Sequence, residues 1–328
     1  MEFSLLGGFP RSRRFRHAIR DFEEGAIDEA TYMSVYLQEL GRVIGVQNSF
    51  DYKILIDGQF DWHDILRPFS SSWRGVYPSS LLRYFDNNFF YRIPVFHGKP
   101  EPYSFFLARK AKMLAGMLDK QELGKIVVPG PVTFTGLSKN MTGHDDFWLA
   151  SKIAEALNIE LRKVNSSERF ILQIDEPGLS ENEVYGRFRG ELKELYSILL
   201  RDLSFSKIIV SVYFRAPVEK AYQELISLDG VDVISLDWVD DKKTVRKLIN
   251  EYGVKGGGLG LGVVDARSIY GEDPEIVAGE VRKVVESLDL KFLMLTTSTW
   301  LELIPFRYAA KKAGILASIA LYLHRDLA

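Results

Sequence analysis

The chain has 328 residues, 46% of them apolar and 26% charged, and its 42 basic and 44 acidic side chains leave a formal charge of −2. That balance argues against nucleic acid or an anionic membrane as a bulk electrostatic partner. Cysteine is absent, which excludes a disulfide, a thiolate nucleophile and a thiolate-held zinc from this chain. The histidines His17, His63, His97, His144 and His324 are scattered without metal-ligand spacing. No apolar stretch approaches the length of a membrane span and the N-terminus lacks a signal-peptide pattern, so a cytoplasmic protein is expected.

Apolar runs closed by Gly, Pro, Asp or Ser form a regular series along the chain. The first strand is expected at 3–6, before Gly7-Gly8, and a helix-period segment covers 13–43. The second strand, 53–56, ends at Asp57-Gly58. The stretch 58–102 is too long for a simple connection and reads as an elaborated loop. A helix at 103–118 leads to the third strand, 125–128, before Pro129-Gly130-Pro131. After a helix at 145–164 comes the fourth strand, Phe-Ile-Leu-Gln-Ile at 170–174, which runs into Asp175-Glu176-Pro177. Ser180-Glu181-Asn182-Glu183 has the spacing of a capping box and opens a helix to about 200. Strands at 207–214 and 231–236 follow, the second before Asp237, with helices at 217–227 and 240–251. The seventh strand, 258–264, stops at Asp265. Asp273-Pro274 then supplies an N-cap and an N1 proline for a helix to 287. The eighth strand, 291–295, ends in Thr296-Thr297-Ser298.

Eight strands alternating with helices predict a single domain, 1–328, folded as a (β/α)8 TIM barrel with an elaborated loop after strand two. The loops at the strand C-termini form the functional face of such a barrel. Asp57, Asp175, Glu176, Asp237, Asp265, Thr296 and Ser298 should converge there. The adjacent carboxylates Asp175 and Glu176 read either as acid/base or amine-binding groups or as an acidic turn.

Several stretches resemble the cobalamin-independent methionine synthase family. Gln173-Ile174-Asp175-Glu176-Pro177-Gly178-Leu179 is similar to its Q-I-D-E-P-A-L strand end. Gly7-Gly8-Phe9-Pro10-Arg11, the run Arg13-Arg14-Phe15-Arg16 and the GAIDEATY segment at 25–32 resemble its N-terminal opening. Arg83-Tyr84-Phe85-Asp86-Asn87-Asn88-Phe89 resembles K-W-F-D-T-N-Y, and Gly262-Val263-Val264-Asp265-Ala266-Arg267-Ser268 resembles G-V-V-D-G-R-N. Phe60-Asp61-Trp62-His63-Asp64 is similar to a further segment, F-S-x-Y-D. These matches run in the family's order over nearly the whole chain.

The full-length family enzyme has two barrels in tandem, and the resemblance is to the N-terminal one. It implies binding of a methyl-carrying folate or related pterin through its polyglutamate tail, with Arg13 and Arg16 at the matching basic positions. Planar guanidinium forks suit a row of carboxylates. By the same resemblance Asp86, Asn88 and Lys139 are candidate substrate-binding residues, and Asp175 with Glu176 forms the substrate-side fingerprint. The family's zinc-binding barrel uses thiolates that have no counterpart here, at Ser211-Val212-Tyr213-Phe214 or at Thr297-Ser298-Thr299. No metal is therefore expected in this chain, and zinc would belong to a separately encoded partner barrel that completes methyl transfer to homocysteine in methionine biosynthesis. Two alternatives stay open: a self-sufficient carboxylate-dependent barrel enzyme of the related decarboxylase superfamily, and a structural partner that binds no ligand.

Overall fold

The computed structural model describes residues 1–85, 89–164 and 169–327. From the N-terminus, β1 (Glu2–Phe3) leads to α1 (Arg13–Glu23), α2 (Glu29–Asn48) and β2 (Ile54–Ile56). An inserted region follows: α3 (Arg67–Ser72), β3 (Trp73–Arg83), β4 (Phe90–Pro102) and then α4 (Phe106–Ala115). Next come β5 (Leu123–Pro129), α5 (Pro131–Gly136), the short β6 (Lys139–Asn140), α6 (Asp146–Arg162) and β7 (Phe170–Asp175). A 3-10 turn (Pro177–Ser180), α7 (Asn182–Gly186) and α8 (Leu192–Leu199) precede β8 (Lys207–Val212). The chain closes with α9 (Glu219–Ser227), β9 (Val233–Asp237), α10 (Lys242–Tyr252), β10 (Gly258–Val264), α11 (Pro274–Val285), β11 (Phe292–Thr297) and α12 (Phe306–Leu327).

Eight strands make one parallel sheet in the order β1-β11-β10-β9-β8-β7-β5-β2. The order follows the chain around a ring, with the ladder open between β1 and β2, so the sheet nearly closes into the expected barrel. Strands covered by helices outside and side chains inside are buried on both faces, and β5, β7, β8, β9 and β10 read accordingly as almost unbroken buried runs. Ile54, Ile171, Ile209, Val233 and Met294 form one apolar cluster of their own. Hydroxyl, amide and charged groups such as Ser211, Gln173 and Lys125 are buried in the same strands. All eight barrel strands fall where the apolar runs placed them, with ends shifted by a few residues.

Three local expectations are corrected. The 13–43 helix is two helices: Gly25 turns the chain with φ +72, and Asp28 then caps α2 by accepting from the Thr31 amide at 2.8 Å. The helix expected from the capping box is also two. Ser180 Oγ donates to the Pro177 carbonyl at 2.7 Å and closes the 3-10 turn instead, and Gly190, φ +84, lies between α7 and α8. The inserted stretch is no loop but a long antiparallel hairpin, β3 with β4, joined by β6 into a second sheet. Glycine and proline interrupt its alternation, and the register accordingly shifts between Arg74 and Val76 and between Pro78 and Leu81. Gly75 carries φ +80, and a Cβ there would stand 2.3 Å from the Lys99 carbonyl oxygen. Among the described residues no helix is long and apolar enough to cross a membrane.

Candidate functional site

β7 delivers Asp175 and Glu176 as expected, with Asp175 in register with Pro129 of β5 and Ser211 of β8. The two carboxylates then part. Asp175 is wholly buried and belongs to a hydrogen-bonded network. Its Oδ1 accepts from Gln173 Nε2 at 2.7 Å, and its Oδ2 from the Tyr213 hydroxyl at 3.1 Å and from Trp300 Nε1 at 3.3 Å. Gln173 in turn accepts from Lys125 Nζ at 2.8 Å, and the same ammonium donates to the Leu5 carbonyl at 2.5 Å. Burial pushes the Asp175 carboxyl up to about 7, against the pull of its hydrogen bonds and of Lys125. Burial likewise pushes the Lys125 ammonium down to about 7, with Asp175 opposing.

Glu176 is also fully buried and serves a helix. Its Oε1 accepts from the Val132 amide at 3.1 Å, and its Oε2 from the Thr133 amide at 2.7 Å and the Thr133 hydroxyl at 2.5 Å. These amides open α5, where an anion is favoured by unpaired N–H groups and by the helix dipole. Burial raises this carboxyl to about 7 against those bonds. The approach needs Gly130, because a Cβ there would lie 2.1 Å from Glu176 Cδ.

Aromatic rings cover Asp175. Phe214, just past β8, contacts Tyr84 at 5.8 Å and Phe89 at 6.3 Å between centroids, and Phe89 meets Trp300 at 6.2 Å. Tyr84 follows β3 and Phe89 precedes β4, so the inserted hairpin contributes these two rings beside the Asp175 network. Phe214 holds φ +76, a strained value for a non-glycine residue. Its amide donates to Asp237 Oδ2 at 3.1 Å.

The basic cluster forms a separate, open feature. Ser12 caps α1 by accepting from the Phe15 amide at 3.0 Å, and its own amide donates to Glu39 Oε1 at 2.6 Å. That start buries Phe15 and leaves Arg13, Arg14 and Arg16 exposed in the first turn, where cations oppose the helix dipole. With Arg11 and Arg42 they line a cavity of about 930 Å³ between the β1–α1 segment, α2 and the segment joining β11 to α12. Arg42 lies over the Phe306 ring, 3.4 Å from its centroid, and approaches Glu39 at 3.4 Å. Arg14 and Arg16 have no carboxylate partner among the described residues. Glu302 in the cavity wall is pushed up to about 7 by burial, with Arg11 opposing.

Arg13 and Arg16 are thus brought together. Lys139 is exposed on β6, paired to β4 opposite Val95, and does not line the arginine cavity. Asp86 and Asn88 lie outside the described residues. The other strand-end groups mainly tie loops. Asp57 accepts from the Gln59 amide at 3.1 Å, Asp265 from the Arg267 amide at 2.9 Å, and Ser298 Oγ from the Ala266 amide at 3.2 Å. The Arg267 guanidinium pairs with Asp240. Thr296 is buried with an unpartnered hydroxyl. Asp237 accepts from three backbone amides, those of Phe214, Val239 and Asp240. With its oxygens so used and no thiolate in the chain, this end of the barrel does not suit a zinc ion held as in the family's metal-binding barrel. Sequence reasoning missed Lys125, whose signal was a lysine inside an apolar strand. It also missed Arg42 and Glu302, which carry no local signal because the cavity joins them from distant segments.

A parallel eight-stranded α/β barrel, nearly closed and ringed by helices, is the class of protein that these observations define. Residues 69–289 match the family described as "Cobalamin-independent synthase, N-terminal domain", and the chain belongs to that family. It is 24% identical over 300 residues to a 5-methyltetrahydropteroyltriglutamate–homocysteine methyltransferase of Bacillus cereus (strain G9842), covering 81% of this chain and 38% of that protein. The relative of the same description from Nitratidesulfovibrio vulgaris (strain Hildenborough) is 27% identical over 231 residues, 65% of this chain and 28% of that one. The chain therefore spans about two fifths or less of the curated relatives it matches. Among solved structures, a B12-independent methionine synthase from Shewanella sp. W3-18-1, in complex with selenomethionine, superposes with a TM-score of 0.81 at 17% identity, covering 99% of this chain and 98% of that one. A putative vitamin-B12-independent methionine synthase from Listeria monocytogenes gives 0.72 at 14% identity, covering 99% and 96%.

Proposed function

We propose that this chain is the methyl-pterin-binding barrel of a divided methionine synthase, holding a folate or related pterin by its polyglutamate tail while a separately encoded zinc-bearing barrel activates homocysteine. The observation that carries the reading is the arginine cavity. Arg14 and Arg16 are exposed there beside Arg13, without a carboxylate partner among the described residues, in the one turn of a helix where cations are least favoured, and a row of ligand carboxylates would offset that cost. The enclosed Asp175 network and the helix-capping Glu176 support a role for those residues in shaping the barrel mouth, since a ligand amine would have to displace existing donors from Asp175. Lys139 remains a candidate for a tail carboxylate, and Asp86 and Asn88 remain candidate substrate-binding residues.

The test is a titration of the purified chain with a methylated pterin carrying one or three glutamates. The longer tail should bind about tenfold more tightly, the advantage should shrink with added salt, and Arg13→Ala or Arg16→Ala should each remove most of it. Equal affinity for both ligands would overturn the tail-binding assignment. Methionine formation should require a zinc-bearing barrel in the same tube. Zinc-dependent turnover by this chain alone would overturn the division of labour.

A further inference from the structure

A second cavity, of about 420 Å³, lies between α1, α2, α4 and the segment joining β2 to α3, and shares no lining residue with the arginine cavity. Its volume falls in the range of small-ligand sites. The walls are aromatic. Phe22 and Tyr32 stack with centroids 4.7 Å apart at 20°, and Trp62 meets Phe106 edge-on at 6.0 Å. Tyr36 closes another side, with the Lys110 ammonium 4.2 Å from its ring centroid. Phe22 remains 40% exposed, so the stack is open to solvent on one side.

The charges around these walls are mostly paired. Lys110 is buried against Asp61, His63 meets Glu23 at 3.0 Å, and Arg67 meets Asp64 at 3.6 Å. Arg109 is the exception: it lines the cavity, is exposed, and has no carboxylate partner among the described residues. Its positive charge reaches the Tyr32 and Tyr36 hydroxyls, where it opposes the upward push of burial and Asp61 on both phenols. A guanidinium beside stacked rings provides one fork for an anion and flat faces for a ring.

We propose that this cavity binds a small planar aromatic carboxylate, its ring against the Phe22, Tyr32 and Trp62 walls and its carboxylate on Arg109. A cation would meet the Arg109 guanidinium unfavourably, and an aliphatic acid would forgo the ring contacts. The proposal stands independently of the tail-binding reading.

Calorimetric titration of the full chain with 2-naphthoate tests it, beside 2-naphthylmethylamine and cyclohexanecarboxylate as probes lacking the anion and the flat ring. The naphthoate should saturate one site at submillimolar concentration, and each comparison probe should bind at least about tenfold more weakly. Arg109→Gln, with unchanged thermal melting, and Phe22→Ala, with melting lowered by no more than about 5 °C, should each weaken naphthoate about tenfold or more, whereas Arg16→Ala should leave it as it is. The proposal fails if naphthoate does not saturate, if both cavity variants bind it as tightly as the parent, if the amine binds equally well, or if Arg16→Ala abolishes binding.

Discussion

Two adjacent carboxylates at the end of β7 do different physical work because successive residues of a strand face opposite ways. Asp175 joins the network with Gln173, Tyr213 and Trp300, and Glu176 turns to the amides of α5. Gly130 is the residue on which the second arrangement depends. Gly130→Ala would put a methyl group 2.1 Å from Glu176 Cδ, so either the carboxylate or the start of α5 must move. The expected cost is about 2–4 kcal/mol, combining overpacking with loss of buried hydrogen bonds. Glu176→Gln should cost less, because an amide oxygen can still accept from Thr133. Urea unfolding of both variants checks the order, and a Gly130→Ala protein as stable as the parent would refute the assignment.

The influence of Glu176 extends to the inserted hairpin through α5. Phe134 on α5 stacks on Trp73 at 5.6 Å and meets Phe96 at 5.8 Å, so the helix that Glu176 caps supports the base of β3 and β4. Trp73 Nε1 also donates to Glu160 Oε1 on α6 at 3.2 Å. Trp73→Phe would keep much of the aromatic contact and remove that donor, leaving a buried acid with one partner fewer. A local loss of about 1–3 kcal/mol is expected. It should appear as faster amide exchange in β3 and β4 with barrel strands unchanged; uniform acceleration throughout would show that the hairpin is not a separate unit. Little of this was legible in the sequence. The barrel strands were legible because burial on both faces leaves continuous apolar runs, as at Phe170-Ile171-Leu172. The hairpin was not, since Gly75, Pro78 and Pro94 break its pattern and its pairing is set by register with a distant strand. The basic cluster was visible as four arginines between positions 11 and 16. Its cavity was not, because Arg42 and Glu302 join it only through the fold. The direction of Glu176 depends on Thr133, 43 residues away.

At the scale of the molecule, buried and half-buried acids outnumber the buried bases among the described residues, and this sets the pH dependence of stability. Burial raises Asp57 to about 6, Glu160, Asp175, Glu176 and Glu302 to about 7, and Asp237 to about 8. Each of these groups has a folded pKa above its unfolded one. Between the two values the folded chain holds more protons than the unfolded chain, so stability falls as pH rises through that window. Lys125 is shifted the other way, to about 7 from an ordinary 10.5; its penalty is fully present below 7 and is relieved as pH rises toward 10.5. Glu155, pulled down by Lys152 and Lys99 against its partial burial, and Glu219, pulled down by the Tyr252 hydroxyl and by Lys247, act below the ordinary carboxylate range. The urea midpoint should therefore be higher at about pH 5 than at about pH 7.5, with partial recovery toward about pH 9.5. Glu160→Gln isolates one contribution, because the amide stands in for the protonated acid and can still accept from Trp73. The variant should lose little at pH 5 and gain on the parent at pH 7.5, by on the order of 3 kcal/mol at most for a shift of this size. A parent midpoint that stays level or climbs from pH 5 to 7.5 would mean that these carboxyls reach water in the folded protein, and an unchanged slope in Glu160→Gln would remove Glu160 from the set.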